Sequence, residues 1–337
     1  MLMNPSSITS RQVLSMFRYP FPVFKNPFAE AIQEITDNEW IDGEYLFIYK
    51  DDPGVREKYK KTKTAHIASQ WFPTASFERL KPICRFMLWT LINDDMYEEV
   101  TPEELLVVHE RSLAILRGNM NAAASQLPLG SLLATLRNEL LQFIPEGSLL
   151  HFIEALNRYF KGLQQEISYK SKKAFPGIEE CFIIREDSLC LYPFLELADI
   201  ETNLFLPPEI HGHPVIQRIK ALASRMMVCY NEVQSVIKDE ATDSIYYNVV
   251  KAIQHNLNIS LEDACLEGLR IHNEYLEEFI TLQRSLPDFG SWHDAVVNRI
   301  HYISITLTGW KSVSAKLDRY NTLSGFPAAQ AVKQAVH

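Results

Sequence analysis

The sequence predicts an all-α fold built as a single-domain helical bundle, and three observations carry that prediction. The chain has 337 residues, 47% of them apolar, enough to bury a large core. It has only 12 glycines, too few for a turn-rich β protein. The segment Phe77 to Asp95 is apolar nearly throughout, including Phe86, Met87, Leu88, Trp89, Leu91 and Ile92, as befits a helix in the middle of a bundle.

The elements follow in order. Residues 1–25 have no clear period and are expected to be irregular. Asn26-Pro27 starts a helix through Ile32 and Ile35 to Trp40. A short charged segment precedes a helix over Ala65 to Phe72, and Pro73-Thr74-Ala75-Ser76 forms the turn and cap for the apolar helix. Three more helices, Glu103 to Leu116, Leu129 to Phe143 and Leu149 to Tyr169, are separated by Gly and Pro. Ile178 to Arg185 and Tyr192 to Ile200 form one helix broken near Ser188, where Pro193 disfavours continuation. After Pro207-Pro208 come helices over Ile216 to Glu240 and Tyr246 to Leu257. Ser260-Leu261-Glu262-Asp263 supplies a cap and acidic first turn for a helix to about Ser285. The last helix runs from Trp292 to about Ser314, and residues 321–337 form a polar tail. No stretch has linker composition and no repeat is present, so one domain is expected over residues 1–337.

Composition narrows the function. A formal charge of -9 disfavours nucleic acid as the main partner, and the Lys-rich Arg56 to Lys63 segment suits a solvated helix face. Five scattered cysteines without a CxxC pair fit reduced thiols in a cytoplasm. The N-terminus shows no leader pattern, and no apolar stretch approaches the roughly 18 residues of a membrane span. A soluble cytoplasmic protein is expected.

Two polar clusters, each ending an apolar helix, carry chemistry. Asn231, Ser235 and Asp239 stand at i, i+4 and i+8, which aligns an amide, a hydroxyl and a carboxylate along one helical face. Such oxygen donors suit a hard cation such as magnesium rather than zinc. Lys238, beside the row, is placed to touch an anion brought by that cation. In Asn93-Asp94-Asp95-Met96-Tyr97-Glu98-Glu99, Asp94 and Glu98 share one face, and Asp95 and Glu99 share the next. Four carboxylates so close repel one another at neutral pH, a cost that metal ligation removes. A solvated helix end explains either cluster alone, but two such clusters can face across a pocket mouth. His211-Gly212-His213 lacks the third His or Cys of a metal centre and suits a loop.

With these residues in place, the chain resembles the class I terpene cyclases, especially bacterial ones, over most of its length. Asp94-Asp95-Met96-Tyr97-Glu98 looks like the aspartate-rich motif, and Asn231, Ser235 and Asp239 look like the metal triad of the opposite wall. Residues Phe72 to Leu80 are similar to the segment leading into the first motif. Arg185, 46 residues before Asn231, falls where the family has its diphosphate-sensing arginine, with Pro193 and Glu196 at familiar spacing. Arg319-Tyr320 resembles the C-terminal diphosphate-binding pair.

The resemblance implies a class I terpene synthase bundle with a central active-site cavity and three Mg2+ ions held by Asp94, Glu98, Asn231, Ser235 and Asp239. It implies a lyase that ionises a linear prenyl diphosphate, cyclises the carbocation and releases diphosphate to Arg185, Lys238, Arg319 and Tyr320. That substrate is the expected partner, with homodimerisation left open. Phe86 and Trp89 are candidate lining residues, although as single aromatics on an apolar helix they suit the core better. Ser188 and Leu189 take the linker and effector positions after Arg185, and Leu189 stands where many relatives have Gly. The third triad ligand is usually Glu, whereas here it is Asp239 with Glu240 beside it. Val313 stands where relatives commonly have Trp, with Trp310 able to compensate. The lost indole favours geranylgeranyl diphosphate and a diterpene product, with farnesyl diphosphate and a sesquiterpene product as the alternative. More distant alternatives are a chain-elongating prenyl transferase, which would need a second Asp-rich motif, and a helical scaffold without activity.

Overall fold

The computed structural model describes residues 9–49, 52–240 and 243–317, and among them every regular element is a helix. The helices that build or brace the cavity are α1 (Thr64–Trp71), α2 (Phe77–Tyr97), α3 (Glu146–Lys172), α4 (Ile178–Ser188), α5 (Leu191–Glu196), α6 (Pro214–Asp239), α7 (Val249–Leu257), α8 (Leu261–Arg284) and α9 (His293–Ser314). One apolar core runs through them, with buried side chains from Val13 to Leu317. None of the described helices is long and apolar enough to cross a membrane.

Local chemistry accounts for where these helices start. Ser76 caps α2 by accepting from the Arg79 amide, and Ser260 caps α8 by accepting from the Asp263 amide at 3.0 Å. Asn248 caps α7, its Oδ1 accepting from the Val250 and Lys251 amides at 2.9 and 3.2 Å. The N-terminal region departs from expectation. Ser10–Met16 is helical because Thr9 and Gln12 form a reciprocal capping box. The helix expected after Asn26-Pro27 is present as Ala29–Ile35, continued with wider turns over Thr36–Glu44. Asn26 Oδ1 accepts from the Phe28 amide at 3.0 Å just ahead of it, while Nδ2 donates to the Phe72 and Ala75 carbonyls and pins this segment to the turn before α2.

The helix break falls where the sequence places it, just ahead of Pro193, which a helix running on from α4 would have to hold in its interior. Cys190 adopts a left-handed conformation with φ of 63° between α4 and α5. Pro193 lies in the first turn of α5, where an amide has no helical acceptor to lose. Two glycines permit close backbone approaches around the cavity. A Cβ on Gly162 of α3 would lie 2.6 Å from the Ser188 amide nitrogen, and one on Gly309 of α9 would lie 2.7 Å from the Gln70 carbonyl. The first seats the break on α3, and the second seats α9 on α1.

Candidate active site

A cavity of about 210 Å3 lies between α1, α2, α3, the α4–α5 break, α6 and α9. Its lining changes in parallel along two helices. On α2 it passes from Met87 through Thr90 and Leu91 to Asp94, Asp95 and Glu98; on α6 it passes from Met227 through Asn231 and Ser235 to Lys238 and Asp239. The last turns of both helices therefore present their oxygen donors to one space.

On α6 the row predicted from spacing is present. Ser235 Oγ donates to Asp239 Oδ2 at 2.6 Å, and Asn248 Nδ2 donates to the same oxygen at 2.8 Å. Asn248 also reaches the Glu232 carbonyl at 3.1 Å, so the cap of α7 braces the end of α6. Burial, and then the charge of Glu232, push the Asp239 carboxyl above its ordinary pKa. Glu240 does not line the cavity; it pairs with Lys251 at 2.9 Å. The shorter carboxylate, not its longer neighbour, is the one at the site.

Asp94, Asp95 and Glu98 line the opposing wall. Glu98 Oε1 accepts from Ser244 Oγ at 3.0 Å, and Asp95 Oδ2 accepts from the Tyr59 hydroxyl at 2.7 Å. The buried Asn93 amide donates to the Tyr159 hydroxyl at 3.2 Å. Burial keeps the Tyr159 hydroxyl and the Cys190 thiol protonated, with Asp94 adding to both shifts. The donors facing the cavity are thus hard oxygens, and the lining thiol is not a thiolate.

Arg185 enters from α4 and meets two carboxylates. Its Nε and Nη2 donate to Glu232 Oε1 at 3.2 and 2.8 Å, while Nη1 donates to Glu166 and, at 2.9 Å, to Ser188 Oγ. Burial opposes its charge, but Glu232 and Glu166 outweigh burial and hold its pKa well above the ordinary value.

Ser188, Leu189, Trp310 and Lys238 all line the cavity. Phe86, Trp89 and Val313 do not, which corrects three expectations. Successive residues on a helix turn by about 100°, so the lining positions 87, 90, 91 and 94 leave 86 and 89 facing elsewhere. Phe86 and Trp89 stack with centroids 5.9 Å apart and pack on Phe152 and Phe160. Val313 sits in the core with 3% exposure, one turn beyond Trp310. Arg319 and Tyr320 lie outside the described residues.

His211, expected to be an isolated loop residue, belongs to a second cluster. Its ring stacks on His151 with centroids 4.0 Å apart, and its Nε2 lies 2.8 Å from Glu196 Oε2. The Lys220 ammonium contacts Glu196 Oε1 at 2.7 Å and His211 Nε2 at 3.0 Å. It already fills the cation position between these groups.

The geometry thus combines opposed oxygen donors, a caged arginine and an apolar interior in one cavity. Residues 85–278 match the sequence model of terpene synthase family 2, C-terminal metal binding. The chain belongs to this family. It is a class I terpene cyclase, a magnesium-dependent lyase acting on prenyl diphosphates. The cyclase is 26% identical over 289 residues to germacrene A synthase of Nostoc punctiforme, covering 85% of this chain and 87% of that one. It is likewise 26% identical over 284 residues to a (+)-T-muurolol synthase of Roseiflexus castenholzii, covering 83% and 84%. The crystal structure of germacradien-4-ol synthase from Streptomyces citricolor superposes with a TM-score of 0.76 at 18% identity, covering 90% of this chain and 99% of that one, which supports the fold.

Several lining residues of the cyclase are absent from the sequence reading. Trp71 and Phe194 line the apolar part, with ring centroids 5.1 Å apart, and Trp71 also meets Trp310 at 6.0 Å. Nothing in a short apolar helix marks Trp71 as facing a cavity. Glu166 and Glu232 did leave a signal: each is a carboxylate at a buried position on an amphipathic helix, where the helical period calls for an apolar residue.

Proposed function

We propose that this cyclase acts on farnesyl diphosphate and makes a cyclic sesquiterpene hydrocarbon or alcohol. The observation that carries this reading is the placement of Trp310 in the cavity and Val313 outside it. A small residue at 313 leaves no space for a longer substrate, because Val313 is packed in the core. An added isoprene unit would need room in a cavity of about 210 Å3 already bounded by Trp71, Phe194 and Trp310. The name of the Roseiflexus relative, which specifies (2E,6E)-farnesyl diphosphate cyclisation, supports the same length.

Asp94 and Glu98 would hold metal on one wall, and Asn231, Ser235 and Asp239 on the other. Bound Mg2+ supplies positive charge to the departing diphosphate. Arg185 and Lys238 would orient that diphosphate and stabilise its developing charge in a site shielded from water. Arg319 and Tyr320 are proposed to complete this grip. Trp71, Phe194 and Trp310 turn aromatic surface toward the hydrocarbon, each favouring a cation by roughly 0.5 to 2 kcal/mol. Burial raises the hydroxyl pKa values of Tyr97, Tyr159 and Tyr247, so no phenolate forms to trap the carbocation early.

The test is turnover with Mg2+ on the ten-, fifteen-, twenty- and twenty-five-carbon diphosphates, with product identification. Cyclic fifteen-carbon products should dominate. Faster turnover of the twenty-carbon substrate would overturn the length assignment.

A further inference from the structure

Arg185 has five N–H donors, and four are committed to protein acceptors: two to Glu232 and one each to Glu166 and Ser188. A diphosphate that takes a two-point grip on this guanidinium must displace a resident acceptor. The two carboxylates differ in how they are held. Glu232 has 1% exposure, and its second oxygen accepts from the Val249 amide at 3.1 Å, so it is anchored independently of Arg185. Glu166 takes both of its side-chain hydrogen bonds on Oε1, from Arg185 and from Ser188. Among the described residues it makes no other side-chain hydrogen bond, and it lines the cavity.

Glu166 is also placed to hold the helix break. It lies one turn after Gly162, the residue on which Ser188 is seated. Glu166, Ser188 and Arg185 close a three-membered hydrogen-bonded ring at the end of α4. Breaking the Glu166 contacts frees the guanidinium and the hydroxyl of Ser188 together, while Glu232 keeps Arg185 charged and in place.

We propose that Glu166 is the resident anion of the diphosphate site, a positioning residue that holds Arg185 and the Ser188–Cys190 break in the substrate-free arrangement until substrate diphosphate displaces it. The inference rests on the assignment of Arg185 as a diphosphate contact. Its consequence is competition: the carboxylate and the diphosphate seek the same donors, so removing the carboxylate's charge should tighten diphosphate binding. A carboxylate that was only a structural prop would give the opposite result, because its loss would disorder Arg185.

The experiment is calorimetric titration of the full chain with inorganic pyrophosphate in excess Mg2+, comparing wild type, Glu166→Gln, Arg185→Gln and the double variant. A charge-assisted hydrogen bond is worth enough to predict about tenfold tighter pyrophosphate binding by Glu166→Gln. That gain should vanish in the Arg185→Gln background, which separates displacement from a general relief of negative charge. Unchanged or weaker binding by Glu166→Gln, with Arg185→Gln still weakened, overturns the role of Glu166 and leaves that of Arg185 intact. Unchanged binding by Arg185→Gln itself overturns the underlying assignment. Should Glu166→Gln not fold, Ser188→Ala decides: a smaller tightening supports the displacement, and unchanged or weaker binding overturns it.

Discussion

Two buried charge clusters lie within this fold, and they are built on opposite principles. Among the described residues lining the cavity, Asp94, Asp95, Glu98, Glu166, Glu232 and Asp239 are accompanied by three cations, Lys170, Arg185 and Lys238. Around α5, Glu196 and Asp199 meet Lys220 and Arg299, with Arg299 contacting Asp199 and the Leu195 carbonyl, and His211 completing the set. Burial works to raise the Glu196 pKa, but Lys220, His211 and Arg299 together hold it well below the ordinary range. Asp239 shows the reverse, pushed up by burial and by Glu232. A balanced cluster fixes helices to one another. An excess of carboxylates around open space suits the cation site proposed for the cavity.

Breaking each cluster should therefore have different consequences. The largest effect is expected at the cavity: Asp94→Ala and Asn231→Ala should each reduce turnover by about a thousandfold or more. Their melting temperatures without Mg2+ should hardly fall, since removing Asp94 relieves repulsion. Steady-state kinetics with thermal melts check both halves, and near-native turnover of either folded variant would remove that residue from the site. Lys220→Met should do the converse, costing about 3 to 5 kcal/mol of stability by leaving a buried pair broken while turnover per folded molecule stays close to wild type.

Glu201 is a third case, a buried carboxyl that forms no ion pair among the described residues. Its Oε1 accepts from the Thr74 amide and hydroxyl at 2.6 and 2.8 Å, yet burial pushes its pKa up to about 7. A carboxyl whose pKa rises on folding binds its proton more tightly in the folded state. Its contribution is most favourable below the unfolded value of 4.5 and is lost as pH rises to about 7. Glu201→Gln should flatten this dependence and stabilise the protein at pH 8 by roughly 2 to 4 kcal/mol. Melts across pH 4 to 8 check it, and identical profiles for the two proteins would contradict it.

Most of this architecture was legible in the residues because the helical period is a strong signal and caps such as Ser76 and Ser260 mark helix starts. The polar row on α6 was legible because spacing by four aligns side chains whatever surrounds them. What failed was the assignment of faces on helices that are apolar all round. Nothing local distinguishes Phe86 and Trp89, which face the core, from Met87 and Leu91, which face the cavity. Val313 failed for a related reason, since a family position does not say which way this helix is rotated. The burial of Glu166 on an amphipathic helix marks it, but its partners are 19 and 22 residues away and meet it only where α4 folds back along α3.

On this reading the excess of carboxylates at the cavity is a metal and diphosphate site, and the balanced cluster around Glu196 is not. A crystal structure with Mg2+ and a non-reactive farnesyl diphosphate analogue tests it directly. The account predicts Mg2+ on Asp94 at one wall and on Asn231, Ser235 and Asp239 at the other, with diphosphate on Arg185 and Lys238 and Glu240 still paired with Lys251. Ions coordinated by His151, Glu196 and His211, or an analogue bound without contact to either cavity wall, would contradict it.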